Sequence, residues 1–442
     1  MSIKEDRISE LPDSILVNEI LSRLSTKCAL RTTILSKRWR WLWTNVPALK
    51  FSHTSYTVSG LDKAKATLFM NYVDVVLLRH QTSNLRSFKL VCDGTIAKSL
   101  VYSWISTVAH PNKLHELYVD FSELEHYVIP SSVYRCRSLK VLSLSFWWSV
   151  FKPPITSVSL PSLASLELHC ANFVDENLTQ QFISSLPALE RLVLRECYFY
   201  NHHELVISGP SLKVLTLSKA CFKPNELGNW RIKVCAPKLD QLYCQTDKLP
   251  REYILDVPVL QHVWIHPEKW DNSISTKEGV RGTACDLLKQ IAHVKKLGIH
   301  ADLLMVLPHE DLLNRLPTFT NLTCLLVLQH CWGRDLLSIL RIMPNLEDLR
   351  VHASSADDMT LHIGEMLPSC FESKIKIFQC IYEGLPGDLH MIDFLLCNIA
   401  AFEIIEIVDE EFLSHPIKIV KLGRHSFIPH RPLCLLDLLL LV

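Results

Sequence analysis

SLKVLSL, residues 138–144, returns almost unchanged as SLKVLTL at residues 211–217. The same phrase, apolar-x-x-apolar-x-apolar, recurs as NLRSFKL (84–90), KLHELYV (113–119), SLASLEL (162–168), ALERLVL (188–194), KLDQLYC (238–244), VLQHVWI (259–265), NLTCLLV (321–327) and NLEDLRV (345–351). Its first apolar residues are Leu85, Leu114, Leu139, Leu163, Leu189, Leu212, Leu239, Leu260, Leu322 and Leu346. Most steps between them fall between 21 and 29 residues, and VKKLGIH from Val294 fills the one long gap.

Self-similarity at this period is the signature of a leucine-rich repeat. The closing x-apolar-x-apolar alternation is a strand whose apolar side chains share one face. No single repeat can bury them, so stacked repeats must share a core, with a parallel sheet on the concave side of a solenoid. The expected core includes Leu114, Leu139, Leu142, Leu144, Leu163, Leu166, Leu168, Leu189, Leu192, Leu194, Leu212, Leu215 and Leu217. A helix is visible between strands at residues 100–108, with Trp104, Ile105 and Val108 on one face. Proline before the phrase (Pro161, Pro187, Pro210, Pro237, Pro258, Pro317, Pro344) ends each return segment, because the residue before a proline is pushed out of the helical region. The Asn or Cys that a regular repeat carries after its strand stands properly only at Cys197, with Cys221 one residue late. The solenoid is therefore expected to be irregular.

In front of the repeats, residues 11–43 read LPDSILVNEILSRLSTKCALRTTILSKRWRWLW. Leu11-Pro12-Asp13 is a helix start, since proline has no N–H to lose in the first turn and an acid suits the dipole there. Ile15, Leu16, Ile20, Leu21 and Leu24 make one apolar stripe to about Arg23. Ser25 offers a cap for a second helix through Leu30 and Ile34, and Ser36 for a third with Trp39, Leu42 and Trp43. Three helices this short bury too little to stand alone. Either the body of the chain or a second protein must cover them.

The run from Asp6 to Pro47 resembles an F-box, the motif that docks on the Skp-type adaptor of cullin–RING ubiquitin ligases. The Leu-Pro, the spaced Ile/Leu positions and the ILSKRWRWLW ending (residues 34–43) stand where that motif has them. The resemblance implies that Leu11, Pro12, Ile15, Leu16, Ile20, Leu21, Leu35, Trp39, Leu42 and Trp43 form the adaptor face and the bundle core. The degenerate repeats, with YVDVVLLRHQTSNLRSFKL (72–90) and IPSSVYRCRSLKVLSL (129–144), are similar to the plant F-box proteins with leucine-rich repeats. Residues 368–408 read as strand, turn, helix over 389–398 and strand, and are similar to the FBD domain of that family, whereas HPIKIVKLGRHSFIPHRPLCLLDLLLLV (415–442) departs from its usual ending. The expected organisation is an α/β chain: F-box at 1–50, helical linker at 51–84, degenerate repeats at 85–352, FBD-like domain at 353–415 and a divergent tail at 416–442.

Composition narrows the function. Apolar residues make up 48% and charged residues 21%, which is the make-up of a folded globular chain. Lys plus Arg equals Asp plus Glu at 46 each, so nothing global favours nucleic acid or an anionic membrane. Lys37-Arg38-Trp39-Arg40 is a single basic cluster, read as a solvated helix face. The 15 cysteines are scattered with no C-x-x-C and no leading signal peptide, so they read as reduced thiols in an intracellular protein of cytoplasm or nucleus, with no structural metal. The apolar run 432–442 is about half the ~20 residues a spanning helix needs and is interrupted by Asp437. No phosphate loop, nucleophile elbow or zinc-protease motif occurs. His202-His203-Glu204 reads as a loop before Gly209-Pro210, and Cys324, His330 and Cys331 straddle a strand and its turn as buried thiols.

The expectation is a non-enzymatic, cofactor-free substrate-recognition subunit of an SCF-type ligase. It would hold the Skp-type adaptor, and through it a cullin, at the front, and a substrate protein of unknown identity on the repeats. The alternative is a stand-alone repeat scaffold or receptor whose first helices cap the repeat core.

Overall fold

The computed structural model describes residues 8, 10–53, 61–81, 84–109, 113–121, 127–154, 158–223, 230–268, 277–305, 307, 315–330, 333–352, 368–382, 404–409 and 418–420. It comprises two compact units, Met1–Asn225 with Cys235–Pro237, and Glu226–Val234 with Lys238–Val442.

In the first unit three short helical runs lead. α1 (Asp13–Ile15) continues as a π turn over Leu16–Ile20 and a 3₁₀ turn over Leu21–Arg23. α2 (Thr26–Arg31) runs into a 3₁₀ turn at Thr32–Ile34, and α3 (Trp39–Leu42) into another at Trp43–Asn45. Then come β1 (Ala48–Ser52), α4 (Leu61–Arg79), β2 (Ser87–Val91), α5 (Lys98–Ala109), β3 (Glu116–Phe121), α6 (Ser131–Tyr134), β4 (Val141–Phe146), β5 (Ser165–His169), β6 (Asn172–Phe173), α7 (Glu176–Ser184), β7 (Arg191–Arg195), β8 (Tyr198–Tyr200), β9 (Glu204–Ser208) and β10 (Val214–Lys223). β1, β2, β3, β4, β5, β7 and β10 form one parallel ladder in that order.

The alternation of the phrase becomes alternation of burial. Leu117, Leu142, Leu166, Leu192 and Leu215 stand in register and are each no more than 1% exposed. All thirteen leucines named above as core are buried. The prolines sit inside a turn: Leu163, Leu189 and Leu212 N–H groups donate to the carbonyls of Leu160, Leu186 and Gly209 at 3.3 Å each, with proline as the second residue every time. Its fixed φ suits that position.

Consecutive repeats are stitched by one recurring device. The carbonyl just before each strand accepts two successive N–H groups of the next repeat: Pro47 from Arg86 and Ser87 at 2.7 and 3.0 Å, then Arg86, His115, Lys140, Ala164 and Glu190 in the same way. Both lone pairs of the carbonyl are used, so no asparagine side chain is required to do this. Where a thiol does stand after the strand, at Cys197, its Sγ donates to the Leu168 carbonyl of the preceding repeat at 3.5 Å.

Beyond β5, β7 and the middle of β10 the chain turns through left-handed residues, Cys170 (φ 51°), Glu196 (φ 54°) and Lys219 (φ 51°). This splits off a second, shorter ladder of β6, β8 and the end of β10. Its buried face is a stack of phenylalanines in register, with Phe173 and Phe199 rings 4.9 Å apart and Phe199 and Phe222 rings 4.8 Å apart, their planes nearly parallel.

In the second unit β12 (Gln241–Thr246), β14 (His262–Pro267), β15 (Lys296–His300), β16 (Cys324–His330), β17 (Asp348–His352), β18 (Ile377–Tyr382) and β19 (Ile404–Asp409) form a parallel ladder, and β20 (Lys418–Val420) adds antiparallel to β19. β11 (Arg231–Cys235), β13 (Glu252–Asp256), α8 (Lys277–Gln290), α9 (Ala301–Met305), α10 (Gly333–Leu340) and α11 (Cys370–Ser373) are the remaining elements of this half of the chain. The double-acceptor carbonyl continues here at Asp240, Gln261, Lys295, Thr323 and Glu347. Gly298 is a packing glycine: a Cβ there would lie 2.1 Å from Cδ1 of Trp264, whose indole crosses it from the neighbouring strand.

In each unit the ladder runs wider than the repeat phrase. β1 joins it already at Ala48, ahead of the residue-85 start, and β18 and β19 extend it past residue 352. Strand pairing is present on both sides of residues 84 and 352, between β1 and β2 and between β17 and β18. The helix read at 389–398, most of the tail from 416 and Cys331 lie outside the described residues.

Candidate protein-interaction surfaces

The front helices are built from local signals and then tied to the first repeats. Ser25 caps α2 as its side chain suggests, accepting from the Cys28 N–H at 3.2 Å. Ser36 does not cap α3, which begins after Arg38 with no side-chain cap. Arg38 instead spans the bundle. Its Nε donates to Asp13 Oδ1 at 2.7 Å and its terminal nitrogen to the Leu11 carbonyl, so the third helix holds the start of the first.

Behind this, Thr26 Oγ1 accepts from the Lys50 N–H of β1 at 2.7 Å. The Thr44 carbonyl accepts from Gln81 N–H at 2.9 Å, and His80 Nε2 donates to the Val46 carbonyl at 2.9 Å. Burial holds the His80 pKa below its ordinary value, which keeps the ring neutral for that bond.

Burial divides the ten residues singled out by the F-box resemblance. Leu16, Leu21, Trp39, Leu42 and Trp43 are buried in this chain, none more than 6% exposed. Leu11 and Ile20 are half-buried. Pro12, Ile15 and Leu35 are exposed, the last by 62%. Outside that set Ile8, Leu24, Ile34 and Trp41 are exposed as well, Ile34 by 85% and Trp41 by 59%. Helical spacing could have revealed Trp41: Trp39 and Leu42 lie three apart on the inner face of α3, and Trp41 falls away from both. For the tryptophans at 39 and 43, whose cover the sequence leaves open between this chain and a second protein, this chain is the cover.

Between α1 and the start of β2 lies a cavity of ≈ 540 Å³, lined by Asp13, Val17, Leu42, Asn45, Asn84 and Arg86 among others.

The open face of the first unit's sheet is polar and paired. On β5 and β7 Glu167 accepts from Arg191 Nε at 3.5 Å and has His169 Nε2 at 3.9 Å. Glu190 meets Lys213 at 2.9 Å and Glu196 meets Lys219 at 3.7 Å. Burial and Arg195 hold the His169 pKa down. Burial pushes the thiols of Cys92, Cys197 and Cys244 up to about 12, so these three are no nucleophiles. His202 sits in the loop after β8 as read, but it is buried, with Nδ1 2.8 Å from the Tyr200 carbonyl and Nε2 3.2 Å from Thr179 Oγ1. His203 is exposed. Cys324 lies beside Asp348, Sγ to Oδ2 3.5 Å. Among the described residues no group of three or more His, Cys, Asp or Glu side chains could hold a metal ion, and no helix is long and apolar enough to cross a membrane.

Residues 101–326 match the family model described as "FBD-associated F-box protein At5g56370, LRR repeats". That stretch holds the strands β3 to β10 of the first unit and β12 to the start of β16 of the second. The chain belongs to the F-box/FBD/LRR-repeat family. Curated relatives of this F-box/LRR chain run nearly end to end with it. The Arabidopsis thaliana F-box/LRR-repeat protein At4g14103 is 30% identical over 394 residues, covering 86% of this chain and all of the relative. The FBD-associated F-box protein At4g10400 from the same plant is 29% identical over 408 residues, covering 89% of this chain and 90% of its own length. Among solved structures, the TLR13 chain of the TLR13–ssRNA13 complex matches with TM-score 0.31 and 12% identity over 84% of this chain and 60% of that one. The F-box/FBD/LRR family is one of protein-interaction repeat proteins.

Proposed function

We propose that this F-box/LRR chain is the substrate-recognition subunit of an SCF-type cullin–RING ubiquitin ligase. The front helices dock a Skp-type adaptor, and through it a cullin, while the repeats hold a target protein so that a separate enzyme transfers ubiquitin by proximity. One observation carries the reading. The front bundle buries Leu16, Leu21, Trp39, Leu42 and Trp43 in its own chain, yet leaves Ile15, Ile34, Leu35 and Trp41 in solvent. Large apolar side chains clustered in one short segment and left open are what a helix-docking partner covers.

The alternative, helices that merely cap a receptor, draws on the bonds from Thr26, Thr44 and Val46 to the first repeats. Those bonds explain the inner face. A cap with no other role has no reason to be apolar outside.

The test is co-purification of the full chain with a recombinant Skp-type adaptor. Capture by the unmodified chain, lost in Ile34→Asp with Leu35→Asp and retained in the distant surface variant Lys213→Ala, is expected. Equal capture by both double-site and unmodified chains, or none by either, contradicts the proposal.

A further inference from the structure

At the end of β4 the chain exposes two adjacent tryptophans, Trp147 by 48% and Trp148 by 39%. Trp148 holds a left-handed backbone (φ 52°), which is rare for a bulky residue and persists only where its surroundings fix it. They do. The Asn172 side chain donates to the Trp148 carbonyl, Asn172 N–H to the Ser149 carbonyl at 2.9 Å, and Phe151 N–H to the Asn172 carbonyl at 2.9 Å. The fixed indole meets Tyr198 of β8 edge-on, ring centres 4.9 Å apart, and Tyr198 is followed on the same strand face by Tyr200, 37% exposed. The phenylalanine stack beneath β8 makes this a rigid base.

The charges beside it are not balanced. Arg191, Lys213 and Lys219 each have a carboxylate within 4 Å. Arg195, exposed at the end of β7, lies beside His169, and the Lys223 Nζ lies 5.8 Å from the centre of the Tyr198 ring. Neither has a carboxylate within 4 Å among the described residues. Aromatic anchors with arginine are the make-up of binding hot spots, and two cations without counter-ions add a sign to what binds.

We propose that the edge formed by Trp147, Trp148, Tyr198, Tyr200, Arg195 and Lys223 is where the repeats grip the target protein, through an acidic segment that carries a bulky apolar side chain. The apolar group lies against the indoles and the acids meet Arg195 and Lys223. A nucleic acid strand fits less well. Glu167 and Glu196 interrupt the cations that a run of phosphates would need, and the chain's 46 basic residues are matched by 46 acidic ones. The proposal rests on the substrate-recognition reading above.

The test uses the full-length chain and an array of fluorescein-labelled decapeptides, glutamate-rich with a central pair of Trp, Phe, Leu or Ile. Matched peptides carry lysine for glutamate or serine for the apolar pair, and a uridine decanucleotide serves as competitor. Anisotropy is expected to show binding of acidic-apolar peptides alone, weakened about tenfold or more by Trp148→Ala and by Arg195→Glu with Lys223→Glu. Added salt should weaken it too, while Ile34→Asp with Leu35→Asp should leave it unchanged. Far-UV circular dichroism of each variant must match the unmodified chain, and Trp147→Ala serves as the second aromatic variant should Trp148→Ala fail that check. No binding, equal binding of lysine peptides, indifference to the variants, or displacement by the oligonucleotide overturns the proposal. Adaptor capture measured on the unmodified chain separates the two readings: no adaptor capture with the acidic-apolar peptides bound breaks the ligase proposal alone, and adaptor capture with no peptide bound breaks this one alone.

Discussion

The front helices and the repeat stack behind them use the same side chains, Leu, Ile and aromatic residues, to opposite ends. In the stack each apolar row has a neighbour of its own kind on either side: Leu142 lies between Leu117 and Leu166, Leu192 between Leu166 and Leu215. Every row is closed from within the chain. The bundle has such a neighbour on one side only. Trp43 and Leu16 turn to it, and Ile34 and Leu35 do not. A repeat stack can therefore finish its own core, whereas a module of three short helices finishes half of one and leaves the rest in solvent.

That contrast sets the size of the expected effects. Phe199→Ala in the phenylalanine stack should cost about 3–5 kcal/mol in urea denaturation, since Phe173 and Phe222 lose a ring from between them and cannot close the gap. A loss under about 1 kcal/mol would mean that the stack is not a closed core. In the bundle Ser25→Ala should cost about 1 kcal/mol, by the loss of the cap on Cys28, read as a lowered denaturation midpoint. Ile34→Asp with Leu35→Asp should shift the stability of the isolated chain by no more than about 0.5 kcal/mol, because both already face water. A large loss there would show that this face is core after all, and would erase the contrast.

The pH effect is the smallest. Burial lowers the His202 pKa in the folded chain, so its unfolded form takes up a proton first. The stability this neutral ring contributes is present above about pH 6.5 and is lost as pH falls from there toward the depressed folded value. Thermal midpoints across that range should fall less steeply in His202→Gln than in the unmodified chain.

The sequence showed the stack more fully than the surfaces, for physical reasons. A strand buried on one face leaves an alternation of period two, and a proline turn leaves a proline, so β3, β4, β5, β7 and β10 are visible from their phrases. β1 follows the same pattern, Val46-x-x-Leu49-x-Phe51 with all three buried, and could have been read from it. The left-handed turns at Cys170, Glu196 and Lys219 carry no glycine that would announce them. The stitching carbonyls are backbone, so the absence of an asparagine ladder predicts an irregularity that they in part make good. In the bundle the apolar positions were legible, but the direction of each was not: a π turn at Leu16–Ile20 and 3₁₀ turns at Leu21–Arg23, Thr32–Ile34 and Trp43–Asn45 shift the facing of residues away from a regular helical wheel.

Hydrogen exchange of the full-length chain, with and without a purified Skp-type adaptor, tests the half-closed bundle most directly. Protection already present at Leu16, Leu21 and residues 42–46 without the adaptor, and new protection on its addition at residues 12–15 and 34–41, is the expected result. Unchanged exchange at 34–41 in the presence of a saturating adaptor, or protection there in the chain alone, would contradict it.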